Sequence, residues 1–122
     1  MKRIVIFIII ACVILLSSCT TGSYTTFKSV ESNKSDLFSM KYEKFNGYKS
    51  RAVSFKEDTE IIVDIVSSSG ELDITIKNED DHIFYEGHDV PTSEFTVAVD
   101  GEGKYTITVE GHDHKGSFKI SW

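Results

Sequence analysis

Alternation of apolar and polar residues recurs along most of this 122-residue chain and limits its fold more than any other feature. In the run from Leu72 to Lys77, every second residue is apolar. A strand places successive side chains on opposite faces of a sheet, so such a run predicts a strand with one buried face. Comparable runs lie at 38–45, 53–55, 61–65, 82–86, 95–99, 105–110 and 118–122. In the last run, Trp122 continues the inward series of Phe118 and Ile120, so its ring is predicted to pack at the edge of the core.

Polar turns separate these predicted strands. Asn46-Gly47 is a strong hairpin signal, and glycine-containing polar segments follow at 67–70, 100–103 and 111–116. Short strands with polar turns favour an antiparallel β-sandwich or jelly roll. The sequence therefore predicts an all-β domain of about eight strands over residues 36–122, monomeric in itself and large enough to close a core without disulfides.

The N-terminus has the features of a signal peptide. Lys2 and Arg3 precede an unbroken apolar run of 13 residues, from Ile4 to Leu16. A membrane-spanning helix needs roughly 20 apolar residues, so this run is short for a permanent anchor and suits a signal peptide. An uncleaved signal anchor is the alternative.

The apolar run ends in Leu16-Ser17-Ser18-Cys19, which resembles a bacterial lipobox. The resemblance implies cleavage after residue 18 and a diacylglyceryl group, with acyl chains such as palmitate, on the sulfur of Cys19. Two acyl chains hold a protein firmly on a membrane, whereas one holds it only reversibly. The protein is therefore expected outside the cytoplasm, lipid-anchored to the bacterial cell membrane.

The mature protein is expected to lack a free thiol and to begin with a spacer. Cys12 would leave with the signal peptide and Cys19 would carry lipid, so no disulfide, thiolate metal site or cysteine nucleophile remains. Residues 19–35 are rich in Ser and Thr, with Tyr24, Phe27 and Val30 as sparse apolar residues. This composition predicts a lipidated flexible tether.

The charge balance argues against nucleic acid as a partner. Removal of residues 1–18 leaves 11 basic residues against 19 acidic ones, a net charge of about −8. So acidic a surface repels nucleic acid and anionic headgroups.

The C-terminal segments from Gly103 to Gly111 and from Gly116 to Trp122 carry Gly-x-Tyr followed by alternating apolar residues. They resemble the end of bacterial pre-peptidase C-terminal domains. That resemblance implies a small jelly roll of the kind attached to secreted enzymes, some of whose relatives bind calcium or collagen. The whole chain resembles small lipoproteins of Gram-positive bacteria, which implies a location and no activity.

A repeated motif supplies the candidate metal ligands. Glu86-Gly87-His88-Asp89 recurs as Glu110-Gly111-His112-Asp113, followed by His114. Alternate loops of an antiparallel sheet lie at the same end, so His88 is predicted to lie near His112 or His114, with Asp89 or Asp113 as a carboxylate. Imidazole and carboxylate suit Zn²⁺, Cu²⁺ or Ni²⁺. The alternative is ordinary turn chemistry used twice.

The opposite end of the sandwich is predicted to be acidic. Its turns would collect Glu57, Asp58, Asn78, Glu79, Asp80, Asp81, Asp100 and Glu102. Carboxylates of this kind can hold Ca²⁺, although solvated turns explain them equally well.

Two classes of function remain open, and neither is catalytic. The sequence contains no Gly-x-Ser-x-Gly, His-Glu-x-x-His or phosphate-binding glycine loop, so an enzyme is not expected. The first class is an interaction module at the cell envelope, for a glycan, a peptide or a protein, with Tyr42, Tyr48 and Tyr85 as an aromatic face. The second is a metal-handling lipoprotein that uses the loop histidines or carboxylates.

Overall fold

The computed structural model describes residues 20–122, which form seven antiparallel strands. Residues 1–19, with the predicted signal peptide and Cys19, lie outside the described residues. The strands are β1 (Thr20–Phe27), β2 (Val30–Lys34), β3 (Leu37–Phe55), β4 (Thr59–Asn78), β5 (Ile83–Gly87), β6 (Ser93–Val99) and β7 (Gly103–Ser121). The prediction of an all-β antiparallel sandwich is confirmed.

Three long strands run through both layers of the sandwich. β3, β7 and β4 lie side by side, and each bends once, at 42–47, 111–116 and 67–71 respectively. On one side of the bends β1 and β5 complete a first half-sheet, and on the other side β2 and β6 complete a second half-sheet. We call the bent side the closed end. The open end carries the turns at 35–36, 56–58, 79–82 and 100–102.

The bends replace three predicted turns, so the eight predicted strands merge into five, and β1 and β2 bring the count to seven. Asn46-Gly47, expected to form a hairpin, lies within β3 where its register with β7 shifts. Gly47 and Gly70 have φ values of +102° and +74° at these bends, a region that glycine enters without steric cost. A local register shift of this kind bends a strand without ending it.

The core lies between the two half-sheets and consists of the inward-facing alternate residues. It includes Ile74, Ile107 and Phe118, all 0–1% exposed. Contacts across the two layers close it: the rings of Tyr85 and Phe95 lie 4.9 Å apart. At the open end, Trp122 is partly buried against this core, as its place in the inward series predicted.

The prediction of a flexible tether over residues 19–35 is corrected for its described part. Thr20–Phe27 pairs with β3 in the first half-sheet and Val30–Lys34 pairs with β3 in the second. The Lys49 side chain, only 2% exposed, explains much of this order, because its ammonium lies 2.6 Å from the Glu31 carboxylate on β2. A buried charge needs such a partner, so β2 is fixed to the domain.

Among residues 20–122, there is no helix with the length and apolar character that a membrane crossing requires.

Candidate metal centre

The two Glu-Gly-His segments lie at the closed end of the first half-sheet, one within β7 and the other at the end of β5, with His88 the first residue after that strand. β7 and β5 pair with opposite edges of β4. Glu110 lies opposite Asp73 in the β4–β7 register, and Gly87 lies opposite Ile74 in the β4–β5 register. Asp73, on the outward face of β4, is therefore flanked by one segment on each side.

The central glycine of each segment follows from packing. In a strand, residues two apart share a face, so Glu and His both point outward and the residue between them points inward. A Cβ on Gly111 would lie 2.5 Å from the Phe45 ring, and a Cβ on Gly87 would collide with Tyr85. At Gly111 the Phe45 backbone oxygen also lies within 2.7 Å, so only glycine fits there, whereas at Gly87 the contacts are with side chains that would have to move. Glycine at both positions leaves a Glu and a His together on the outer face.

Both imidazoles approach a single oxygen atom of Asp73. His112 Nε2 lies 3.6 Å and His88 Nδ1 lies 3.7 Å from Asp73 Oδ2. Each ring is also near the glutamate of its own segment: His112 Nε2 lies 3.9 Å from Glu110 Oε2, and His88 Nε2 lies 3.9 Å from Glu86 Oε2. The prediction that His88 lies near His112 is confirmed.

The exposure of these side chains makes the cluster open to solvent on one side. Asp73 is only 22% exposed, whereas His112 is 51% and His88 is 73% exposed. Asp73 thus forms the floor of the cluster and the two histidines form its rim.

Asp89 positions the Asp73 side chain through a backbone hydrogen bond and is not one of the candidate ligands. Its backbone N–H donates to Asp73 Oδ1 at 2.8 Å, and its φ of +51° turns the chain so that this amide faces β4. Asp73 Oδ2 is left to face the two histidines. The predicted carboxylate ligand is replaced by Asp73 itself.

His114 is not part of this cluster, and its prediction as a ligand fails for a physical reason. The side chain is 0% exposed. Its Nδ1 lies 2.7 Å from the Tyr42 hydroxyl and its Nε2 lies 3.0 Å from Ser67 Oγ, so both ring nitrogens are hydrogen-bonded. Burial lowers the pKa of His114, with the Asp89 carboxylate partly opposing the effect.

The geometry suits a divalent metal ion. Asp73 and Glu110 face each other directly across two strands, and like charges in such a pair repel. Ligand atoms from Asp73, Glu110 and His112 all lie within 4.8 Å of one another. Ligands at 2.0–2.2 Å from a tetrahedral zinc ion lie about 3.4 Å apart, so the 3.6 and 3.9 Å distances from His112 Nε2 to Asp73 and Glu110 need to shrink by about 0.5 Å or less, and the widest spacing in the group by about 1.4 Å at most.

The sequence did not single out Asp73, although a signal for it existed. Glu86 and Glu110 were visible as members of the repeated motif. Asp73 was visible only as an outward residue of an alternating run, and its central place depends on β4 lying between β5 and β7. That strand order is not written in any local pattern.

The other predicted sites are arranged differently. The acidic turns do lie together at the open end, where carboxylate and amide oxygens accept hydrogen bonds from backbone N–H groups of the turns. Asp58 accepts from the Gly101 N–H at 2.6 Å, and Asn78 accepts from the Asp80 N–H at 2.9 Å. The three tyrosines do not form one aromatic face. Tyr42 is buried, Tyr85 packs on Phe95, and Tyr48 is exposed.

Comparisons with known proteins show similarity of structure only. No family model matches the chain, and no curated protein matches its sequence. The pre-peptidase C-terminal domain of collagenase from Bacillus anthracis is similar with a TM-score of 0.47 and 12% identity, over 84% of this chain and 87% of that one. A family 29 carbohydrate-binding module gives a TM-score of 0.45 and 15% identity, over 84% and 75% of the two chains. At these values the likeness carries no argument about ligands.

Proposed function

We propose that this chain is a divalent-metal-binding module displayed on the outer side of a bacterial cell membrane, where a lipid on Cys19 anchors it. The observation that carries the metal assignment is the approach of His88 and His112 to one oxygen of Asp73. The anchor is argued from the lipobox alone, since Cys19 lies outside the described residues.

The donor set favours zinc or a similar transition metal over calcium. Calcium takes six to eight oxygen ligands, whereas two of the donors here are imidazoles. Imidazole and carboxylate together are typical ligands of Zn²⁺, with Cu²⁺ and Ni²⁺ as competitors. Asp73, Glu110, His112 and His88 would supply four ligands, and Glu86 would lie beside them.

The broader hypothesis of an envelope binding module is kept, with the metal as its ligand. Within residues 20–122, the predicted aromatic face for a glycan or protein partner is reduced to Tyr48. The metal centre is the better supported site because its residues converge from three strands.

Zinc titration of the purified protein tests the proposal. Calorimetry should give one high-affinity ion per chain, and His112→Ala or Asp73→Asn should weaken binding by at least about 10-fold. Loss of even an indirect partner of a metal costs about 10- to 100-fold in affinity. His82→Ala is the matched control, because His82 is an exposed histidine at the open end. Equal loss in all three variants would reveal non-specific binding and refute the site.

A further inference from the structure

The first described strand begins immediately after the proposed lipid attachment residue. Thr20 is the first residue of β1 and pairs with Arg51 of β3. One peptide bond separates Thr20 from Cys19. The flexible spacer that would let a lipid-anchored domain tumble is therefore replaced by a paired strand.

β1 is held to the domain by side chains as well as by its register. The Tyr24 ring lies 5.8 Å from that of Phe45, and its hydroxyl donates to Glu31 Oε1 at 2.7 Å. The same carboxylate oxygen accepts from the buried Lys49 ammonium. β1, β2 and β3 are thus joined by one ion pair and its hydrogen bonds.

The direction of β1 fixes which end of the sandwich lies nearest the anchor. β1 runs antiparallel to β3, from Thr20 beside Arg51 to Phe27 beside Lys44. β3 itself ends at Phe55, at the open end. The chain therefore enters β1 from the open end and runs toward the closed end.

We infer that the open end of the sandwich faces the lipid surface and that the metal centre faces away from it. The inference rests on the proposed anchorage at Cys19. Arg51 pairs with Thr20 on β1 and with Ile107 on β7, so these three residues lie at the same height along the strands. Ile107 is five residues from His112 on β7. At about 3.4 Å per residue in an antiparallel strand, His112 lies about 17 Å farther from the membrane than Thr20.

Charge attraction does not produce this orientation. The turns at the open end carry eight carboxylates: Asp36, Glu57, Asp58, Glu79, Asp80, Asp81, Asp100 and Glu102. Anionic headgroups repel such a surface. The covalent attachment and the pairing of β1 must therefore determine which end faces the lipid, and the centre at the closed end stays accessible to solutes.

Energy transfer from the single tryptophan tests the orientation. Trp122 lies at the open end, where its backbone N–H donates to the Asp36 carbonyl at 3.2 Å. The lipidated protein is placed in phosphatidylcholine vesicles that contain a dansyl-labelled lipid. A Trp122→Phe/Tyr48→Trp variant moves the donor toward the closed end, seven residues before Phe55 on β3, or about 24 Å away.

Transfer from Trp122 should be clearly stronger than transfer from the tryptophan at position 48. Insertion of about twelve Gly and Ser residues between Cys19 and Thr20 should reduce the difference between the two donors. Equal transfer from both, in protein shown by mass to be lipidated, would overturn the orientation while leaving the anchorage intact. Absence of lipid on Cys19 would overturn both, and zinc affinity measured on the same sample reports on the metal centre separately.

Discussion

The Tyr42 hydroxyl lies 2.7 Å from Nδ1 of the buried His114 side chain. Tyr42 is on β3, His114 is on β7, and Ser67 on β4 takes the other ring nitrogen. One imidazole therefore links all three long strands at the bend. Both partners are hydroxyl groups, which can donate or accept, so these hydrogen bonds do not require one charge state, and it is burial of the ring that disfavours the charged form.

Protonation of His114 should therefore destabilise the fold. Burial lowers its pKa below the ordinary value of 6.5, so the unfolded chain binds the proton at a higher pH than the folded one. The free energy of unfolding then falls as the pH drops below 6.5, by at most about 1.4 kcal/mol per pH unit from this group. Urea denaturation at pH 7.5, 6.5 and 5.5 measures the slope.

His114→Gln should flatten that pH dependence, since the amide does not titrate. His82→Ala, which removes an exposed histidine, should keep the slope of the unaltered protein. A His114→Gln slope equal to that of the unaltered protein would show that other groups cause the acid sensitivity.

The Lys49–Glu31 pair should respond unequally to loss of its two members. Glu31→Gln leaves a buried ammonium without its carboxylate, and breaking a buried pair in this way costs about 3–5 kcal/mol. Glu31 is 36% exposed, so we expect about 2–3 kcal/mol. Lys49→Met removes the charge and keeps the apolar stem, so it should cost less. Denaturant unfolding of the two variants checks the order, and a costlier Lys49→Met would contradict it.

Gly111 should be irreplaceable for packing. A Cβ there would lie 2.5 Å from Phe45 Cδ2 and 2.7 Å from the Phe45 carbonyl oxygen. Gly111→Ala should cost about 1–3 kcal/mol, the range for overpacking a core, and should weaken zinc binding by displacing His112. Gly101→Ala is a control for zinc binding alone: a Cβ at Gly101 meets nothing within 4 Å, although the φ of +83° strains any side chain there, so zinc affinity should stay unchanged.

The alternating pattern was sufficient to predict the fold class and the inward faces, but not the continuity of the strands. Asn46-Gly47 has the composition of a hairpin turn, and local sequence does not distinguish a turn from a bend inside a long strand. The difference lies in pairing: β3 stays beside β7 on both sides of Gly47. β1 and β2 were missed because their Ser- and Thr-rich composition lacks an apolar stripe, and tertiary contacts such as Lys49–Glu31 order them instead.

The candidate site was predictable in part for a similar reason. The repeated Glu-Gly-His-Asp motif indicated that two segments share one end, and they do, although residues 110–113 lie within β7 and not in a loop. Which histidines converge depends on the face of the sheet to which each side chain points. His112 lies two residues from Glu110 and points outward, whereas His114 lies inside the bend. Inward and outward positions change where a strand bends, so periodicity alone assigned His114 to the wrong environment.

Cys19→Ala should abolish lipid attachment. The prediction comes from Leu16-Ser17-Ser18-Cys19 after a short apolar run. Cells grown with an alkyne analogue of palmitate should label the unaltered protein and not the variant. Cys12→Ala is the control, because Cys12 would be removed with the signal peptide, and its labelling should persist. Unchanged labelling of Cys19→Ala would exclude this residue as the attachment point.

Trp122 should stabilise the open end although it is the last residue of the chain. Its ring lies 6.2 Å from that of Phe55, in the opposite half-sheet, and the Arg51 guanidinium lies 5.2 Å from the ring centroid. Full burial of a tryptophan is worth about 3–5 kcal/mol against alanine, and because this ring is only partly buried we expect Trp122→Ala to cost about 2–3 kcal/mol. Trp122→Phe keeps an aromatic ring on Phe55 and should recover more than half of the loss in the denaturation midpoint. An unmoved midpoint for Trp122→Ala would mean that the inward series ends at Ile120.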